Sequence, residues 1–361
     1  MGLFRSGKSG QEAVVASSHC ALQKACLPVR WLVSSPVAEV PIIDIEGLGE
    51  DPAGHHSVDA IADAASKFGF FQVVGHGIPQ SLIDLIWTLT HQFFALPRAE
   101  KLAILRTKEN SRGFYDRELT KQRRDLKEVL DFATVAHRGL PHDDPRNFAA
   151  VDGHNQWPQG LPQLEPTMMV YLGACEEVAL RLIGAFAVGM EANPQALRRH
   201  FGSDNTSFIR LNRYPLADPL TADEAAAVTE LGDMALHHHS DSGALTLLLQ
   251  DDVGGLQVQS DGVWIDVAPT EGALVVNTGD MMQVWSNDRY KAALHRVTPI
   301  SDRERYSLPY FFNPSYDTDY APLDIDAPIY HPINWGTFRQ GRADGDFADY
   351  GAENQIADYR I

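Results

Sequence analysis

From Thr206 onward the chain runs through "FIRLNRYP", "ALTLLLQ", "GLQVQ", "VWIDV", "ALVVNTG", "MMQVWSN", "LHRVTPI" and "RYSLPYFFN", split by glycine, aspartate and proline turns. This succession of short β-rich runs without intervening helices limits the fold more than any other feature. Strands of this length at this spacing cannot build parallel βαβ units and instead indicate an antiparallel sandwich or barrel.

The region before Thr206 is different. "VPIIDI" (40–45) reads as a short strand, "HSVDAIADAASKF" (56–68) as an amphipathic helix, and "FGFFQVVGHGI" (68–78) as a strand closed by glycines. A second helix starts near Pro79 and ends near "ALPRAEK", and residues 165–200 form one or two helices. The charged stretch "SRGFYDRELTKQRRDLKEVLDF" (111–132) reads as a loop followed by a short strand. The closing "FRQGRADGDFADYGAENQI" is polar, and a surface position is expected for it.

Charge narrows the function. The formal net charge is −18, from 48 acidic and 30 basic residues, so phosphate backbones and anionic lipid are repelled. Nucleic acid is excluded as a partner on this ground. "MMVYLGACEEVALRLIGAFAVGM" (168–190), the most apolar helical stretch, carries Glu176, Glu177 and Arg181, which suits a buried helix and not a membrane span. Three cysteines, Cys20, Cys26 and Cys175, are too few and odd in number for a disulfide scaffold. A reducing compartment follows, with the cytoplasm as the expectation. The start "MGLFRSGKSG" fits an N-myristoylation pattern through Gly2 and Ser6 and is acid-poor like a transit peptide, but so short a pattern often arises by chance and an unstructured tail is the expectation.

Polar residues two apart on a strand share a face. His239 with Asp241, Asn212 with Tyr214, and Arg305 with Ser307 have this spacing inside otherwise strand-forming sequence. Turned inward, such pairs must be satisfied by one another or by a ligand. His239 and Asp241 can reach one cation, with His295 of "LHRVTPI" as a third ligand from a distant run. Two imidazoles and a carboxylate on one face leave room for a bidentate cosubstrate and dioxygen, the pattern of non-haem iron(II) oxygenases. Zinc would favour a closed tetrahedron. His237 shares the parity of His239, so a His-x-His pair is a competing reading, although no glutamate follows at a suitable interval. A planar guanidinium at Arg305, with the Ser307 hydroxyl beside it, suits a carboxylate. His76 reads as structural, and His237 and His238 as exposed or supporting.

At these residues the chain resembles the isopenicillin N synthase-like family of 2-oxoglutarate- and iron(II)-dependent oxygenases. The family's His-x-Asp, distant His and Arg-x-Ser match His239-Ser240-Asp241, His295 and Arg305-Tyr306-Ser307. Its Asn-Tyr-Tyr-Pro is similar to Asn212-Arg213-Tyr214-Pro215, with Arg213 in place of a tyrosine. Its usual Asn-His-Gly stands here as Gly75-His76-Gly77. The likeness covers roughly residues 39–355.

The resemblance implies a mixed α/β fold with a β core, a double-stranded β-helix (jelly roll) flanked by helices. It divides the chain into an extension (1–38), an N-terminal helical and β region (39–200), the jelly-roll core (201–320) and a tail packed on it (321–361). It implies iron(II) on His239, Asp241 and His295. The cosubstrate 2-oxoglutarate would sit on Arg305, Ser307, Tyr214 and Asn212, with dioxygen consumed and ascorbate as activator. The reaction implied is hydroxylation, desaturation or cyclisation of a small organic molecule with release of succinate and CO2. Arg112, Tyr115, Phe132, Phe311 and Phe312 are candidates for contact with that molecule. Two alternatives stay open: an oxidase of this fold that does not use 2-oxoglutarate, and a zinc-bound or catalytically silent binding protein.

Overall fold

The structure is a computed structural model that describes residues 39–120, 123–134, 153–299, 302–323, 326–346 and 354–361. The N-terminal motif with Gly2 and Ser6, and both Cys20 and Cys26, lie outside the described residues. The first part of the chain supplies β1 (Ile42–Asp44), α1 (Ser57–Lys67), β2 (Phe70–Val74), α2 (Gln80–Ala95) and α3 (Arg98–Leu102). Next come β3 (Gly113–Tyr115), β4 (Leu119–Thr120), β5 (Arg123–Arg124), β6 (Glu128–Ala133), α4 (Leu164–Gly189) and α5 (Gln195–Arg198). The β-rich part holds β7 (Phe208–Tyr214), α6 (Ala222–Ala226), β8 (Leu236–His239), β9 (Leu245–Gln250), β10 (Leu256–Ser260) and β11 (Val263–Asp266). It continues with β12 (Leu274–Thr278), α7 (Asp280–Trp285), β13 (His295–Val297) and β14 (Arg305–Phe312). The chain closes with β15 (Asp319–Tyr320), β16 (Ile333–Asn334) and α8 (Trp335–Asp346).

Eight strands form one sheet in the order β1-β2-β12-β9-β14-β7-β6-β3, and four form a second, β11-β10-β13-β8. Alternation decides which side of the large sheet meets what. Phe70, Tyr214, Leu248 and Val275 pack with Leu256, Val258, Ile265 and Val297 of the small sheet, so this cluster lies between the two. Their neighbours Phe71, Leu247, Leu249, Leu274 and Val276 point the other way, into a core shared with α1, α2 and α4. The result is a two-sheet jelly roll with helices against one outer face, as expected. The large sheet takes strands from both sides of residue 200.

Three local expectations are corrected. "MMQVWSN" is not a strand but the helix α7, in which Met281, Met282, Val284 and Trp285 are all buried. Adjacent and i+3 burial of this kind fits a helix turned into the core and not two-fold alternation. The charged stretch 111–132 contributes four strands and no simple loop, and every position of β6 is buried. Its carboxylates survive burial because arginines and lysines meet them: Asp131 pairs with Arg210 at 2.7 Å, and Glu128 with Lys101 at 2.7 Å. The tail is not a surface segment throughout. Trp335, Phe338 and Arg342 fall at i, i+3 and i+7 of α8 and are buried.

His76 is structural, as its sequence position indicated. Its Nδ1 accepts from the Ile78 amide, and Nε2 lies 3.1 Å from the Gly272 carbonyl. Burial lowers its pKa, consistent with a neutral ring.

Candidate active site

The open end of the jelly roll holds a cavity lined from both sheets and from α8. Two strands of the small sheet bring the histidines together. In the β8–β13 pairing His295 lies directly opposite His239, and their rings are 4.3 Å apart. Asp241 follows two residues after His239, just beyond the strand. Its carboxylate Oδ1 is 3.7 Å from Nε2 of each histidine.

The remaining polar atoms of these side chains are engaged in ways that free those three. Nδ1 of His239 lies 2.9 Å from the His237 carbonyl, and Nδ1 of His295 lies 3.3 Å from the Ala293 carbonyl. A carbonyl only accepts, so each Nδ1 donates and each Nε2 keeps its lone pair. Asp241 Oδ2 accepts from Thr246 Oγ1 at 2.6 Å and Asn277 Nδ2 at 2.8 Å, which leaves Oδ1. Burial, and then the neighbouring His295, push the His239 pKa down to about 3, so the imidazole is neutral at physiological pH. For Asp241 the upward push of burial is outweighed by His295, His239, Thr246 and Asn277, and its pKa falls below the ordinary aspartate range. Two imidazoles and one carboxylate, all ligand atoms within 4.8 Å of one another, suit a divalent transition metal.

The loop bearing Asp241 is held by a close backbone approach. The Asp280 amide donates to the Asp241 carbonyl at 2.8 Å, and the Gly279 amide to the Ala244 carbonyl at 3.0 Å. A Cβ on Gly279 would stand 2.2 Å from the Gly243 carbonyl oxygen and 2.8 Å from that of Asp241. Only glycine fits there.

Register also assembles the second group. On the large sheet Arg305 pairs with Tyr214 and Ser307 with Asn212, and all four line the cavity. The Arg305 guanidinium is buried, lies over the Tyr214 ring, and donates to the Gly254 carbonyl at 2.8 Å. Its other contacts are Ser307 Oγ and Gln250 Oε1, each at 3.3 Å. Among the described residues it has no carboxylate in ion-pair range. A buried cation held only by neutral oxygens is prepared for an acid.

His237, the competitor for the metal, does not line the cavity and is buried, not exposed. Its Nδ1 meets Asp125 at 2.9 Å, and only its backbone carbonyl supports His239. His238 is exposed beside Trp264. Of the five residues put forward for substrate contact, Phe311 lines the cavity, stacked on Phe208 at 4.6 Å. The other four do not line it. The Arg112 guanidinium lies over the Phe208 ring at 5.0 Å. Tyr115 packs on Arg106, Phe132 on Trp157, and Phe312 stacks on Phe201 in the core. Strand parity turns Phe132 and Phe312 away from the mouth, whereas Tyr115 shares the face of Asn212 and Ser307 but lies outside the cavity lining. Sequence reasoning missed Arg339 and Arg342, which reach the cavity from α8. The Trp335, Phe338, Arg342 spacing was the available signal.

Residues 205–314 match the family model of the 2OG-Fe(II) oxygenase superfamily, and residues 40–160 match that of the non-haem dioxygenase N-terminal region named for morphine synthesis. A homoarginine-6-hydroxylase of Glycine max is 32% identical over 81% of this chain and 90% of its own length. The chain belongs to the 2OG-Fe(II) oxygenase superfamily. The 2-oxoglutarate-Fe(II) type oxidoreductase hxnY of Emericella nidulans is 34% identical over 81% of this oxygenase and 86% of its own length. Among solved structures, JOX2 in complex with 2OG, Fe and JA superposes with a TM-score of 0.72 at 28% identity, covering 90% of each chain. A full-length Neurospora crassa protein solved with alpha-KG gives 0.69 at 26% identity, covering 84% of this chain and 95% of that one. The protein is thus a 2-oxoglutarate- and iron(II)-dependent dioxygenase that oxidises a small organic molecule with release of succinate and CO2. No helix of the described residues is long and apolar enough to cross a membrane.

Proposed function

We propose that His239, Asp241 and His295 hold the iron(II), and that Arg305, with Ser307, Tyr214 and Asn212, receives the carboxylate of 2-oxoglutarate remote from the metal. One observation carries the reading. Every polar atom of the triad except two Nε2 lone pairs and one carboxylate oxygen has a partner, and those three converge. When bound, iron(II) with 2-oxoglutarate and dioxygen supplies the oxidising power for attack on a C–H bond. The chain's own part is to keep both imidazoles in one tautomer, hold Asp241 ionised, and anchor the cosubstrate so that its keto-acid end faces the metal.

Hydroxylation is the reading for the product, supported by relatives whose names describe hydroxylases. The segments follow the same division: an extension to residue 38, an N-terminal region to 200, a core to 320 and a tail to 361. The cytoplasm is the proposed compartment, supported by the sparse cysteines.

His295→Ala tests the assignment. Iron(II) binding measured anaerobically is expected to fall by orders of magnitude, with succinate formation lost. A variant that still binds one equivalent of iron(II) as tightly as wild type refutes the triad. Turnover of the native chain without succinate would favour the oxidase that bypasses 2-oxoglutarate. Zinc retained through purification, with no oxygen uptake under iron(II) and 2-oxoglutarate, would favour the silent binding protein.

A further inference from the structure

The cavity contains more cations than the proposed chemistry uses, and their partners can be followed one by one. Arg210 is neutralised by Asp131 at 2.7 Å and Glu118 at 2.7 Å. Lys127 lies 3.2 Å from Asp125 and 3.8 Å from Glu118. Arg342 donates to the Ser240 carbonyl at 2.9 Å and has Asp280 at 3.9 Å. Arg305 is taken by the cosubstrate in the reading above. Arg339 remains. Among the described residues it has no ion pair and no hydrogen bond.

Its surroundings are unfavourable to a cation. Burial, and the neighbouring guanidiniums of Arg210, Arg112 and Arg342, press its pKa down to about 10, with only the phenol of Tyr316 acting the other way. Half-buried on the cavity wall near three other arginines and with no carboxylate, Arg339 presents a guanidinium that an anion entering the cavity can meet. The whole chain carries a formal net charge of −18, so an acid approaching it is repelled everywhere except at such a local cationic site.

Position identifies what the acid belongs to. Arg342 is tied to the carbonyl of Ser240, the residue between His239 and Asp241. Arg339 stands three residues earlier on the same helix, about 4.5 Å along the axis. An anion there sits close to the metal loop, whereas Arg305 lies on the large sheet with Tyr214. The same cavity presents the stacked Phe208 and Phe311, an apolar wall. One uncompensated guanidinium matches one negative charge in bidentate contact.

We infer that the oxygenase acts on a monocarboxylic acid with an apolar body, whose carboxylate is received by Arg339 while its carbon skeleton lies along Phe208 and Phe311. This rests on the iron and 2-oxoglutarate assignments above and adds the class of primary substrate.

The test uses the full chain loaded anaerobically with iron(II) and 2-oxoglutarate. Hexanoate, octanoate, 3-phenylpropionate and indole-3-propionate are titrated calorimetrically, each against its primary amide, which has the same shape and no charge. In the wild type at least one acid should bind about tenfold or more tightly than its amide, the scale of one charge-assisted contact. Arg339→Gln should erase that preference and Arg339→Lys should keep part of it, with the 2-oxoglutarate dissociation constant unchanged within about twofold. Retained 2-oxoglutarate binding also certifies that each variant is folded. The inference is overturned if no acid in the series binds better than its amide, or if Arg339→Gln preserves the preference. Arg305→Gln separates the two readings. It should weaken 2-oxoglutarate and leave the acid-over-amide preference; 2-oxoglutarate affinity unmoved by it would refute the cosubstrate anchor and not the substrate site.

Discussion

Replacing Thr246 with valine removes one hydroxyl and almost no volume from beneath the proposed metal site. That hydroxyl donates to Asp241 Oδ2 at 2.6 Å, is buried, and shares the oxygen with Asn277. A hydrogen bond to a charged group contributes about 1.5–3 kcal/mol, and the remaining Asn277 donor keeps the loss toward the lower end. At about 1.4 kcal/mol per factor of ten, iron(II) affinity should fall roughly 10- to 30-fold, within the range found when a partner of a metal ligand is removed. The mechanism is positional: with one donor gone, the carboxylate can rotate and offer Oδ1 less firmly. Anaerobic competition titration against a chromophoric chelator measures the affinity directly, without turnover. Thr246→Ser retains the donor and should restore most of the loss, which separates the hydrogen bond from packing. An iron affinity within twofold of wild type in Thr246→Val, or an equal loss in Thr246→Ser, would refute the claim that this contact orients the ligand.

Other changes have equally definite outcomes. His237→Ala should keep one equivalent of bound iron(II), because only the backbone carbonyl of His237 supports His239; loss of iron would restore the His-x-His alternative. Gly279→Ala places a Cβ against two backbone oxygens that cannot swing aside, so the Asp241 loop must move. Unfolding free energy should drop by about 1–3 kcal/mol together with weaker iron binding, and a neutral result in urea denaturation would discount the close approach. Glu118→Gln removes the carboxylate that Arg106, Arg210 and Lys127 share, leaving them only Asp131 and Asp125, and should cost about 3 kcal/mol at pH 7. Burial raises the Glu118 pKa, but Arg106, Arg210 and Lys127 more than reverse this and hold it far below the ordinary range. A depressed folded-state pKa gives stability that is complete above the unfolded value, about 4.3, and fades as pH falls toward the folded one. The gap between wild type and variant should therefore be constant from pH 7 to 5.5 and narrow below about pH 4.

The parts of this molecule that followed from sequence are those where a local rule acts on residues close together. Two-residue spacing put Arg305 beside Ser307 and Asn212 beside Tyr214. That His295 would face His239 required the β8–β13 register, which family spacing implied but no local pattern dictates. The misread segments have a common cause. α7 is a short apolar run buried on adjacent positions, a length at which periodicity does not separate helix from strand. In 111–132 the charges suggested solvent, yet Glu118 and Asp131 are buried against Arg210 from far along the chain, and Asp125 against Lys127 of the same stretch. In α8 three aromatic and arginine positions were diluted by glycine and aspartate, and the interior face was lost in the average.

The link from Arg342 to the Ser240 carbonyl joins the last helix to the turn between two of the proposed iron ligands. The metal loop and the cavity's arginine wall are thereby mechanically coupled. On the proposal made for Arg339, a twelve-residue helix that begins forty positions after His295 takes part, with Phe208 and Phe311 of the large sheet, in receiving the substrate. Exchanging that helix for another should therefore disturb the metal loop along with substrate recognition, because the Arg342 contact is lost with it.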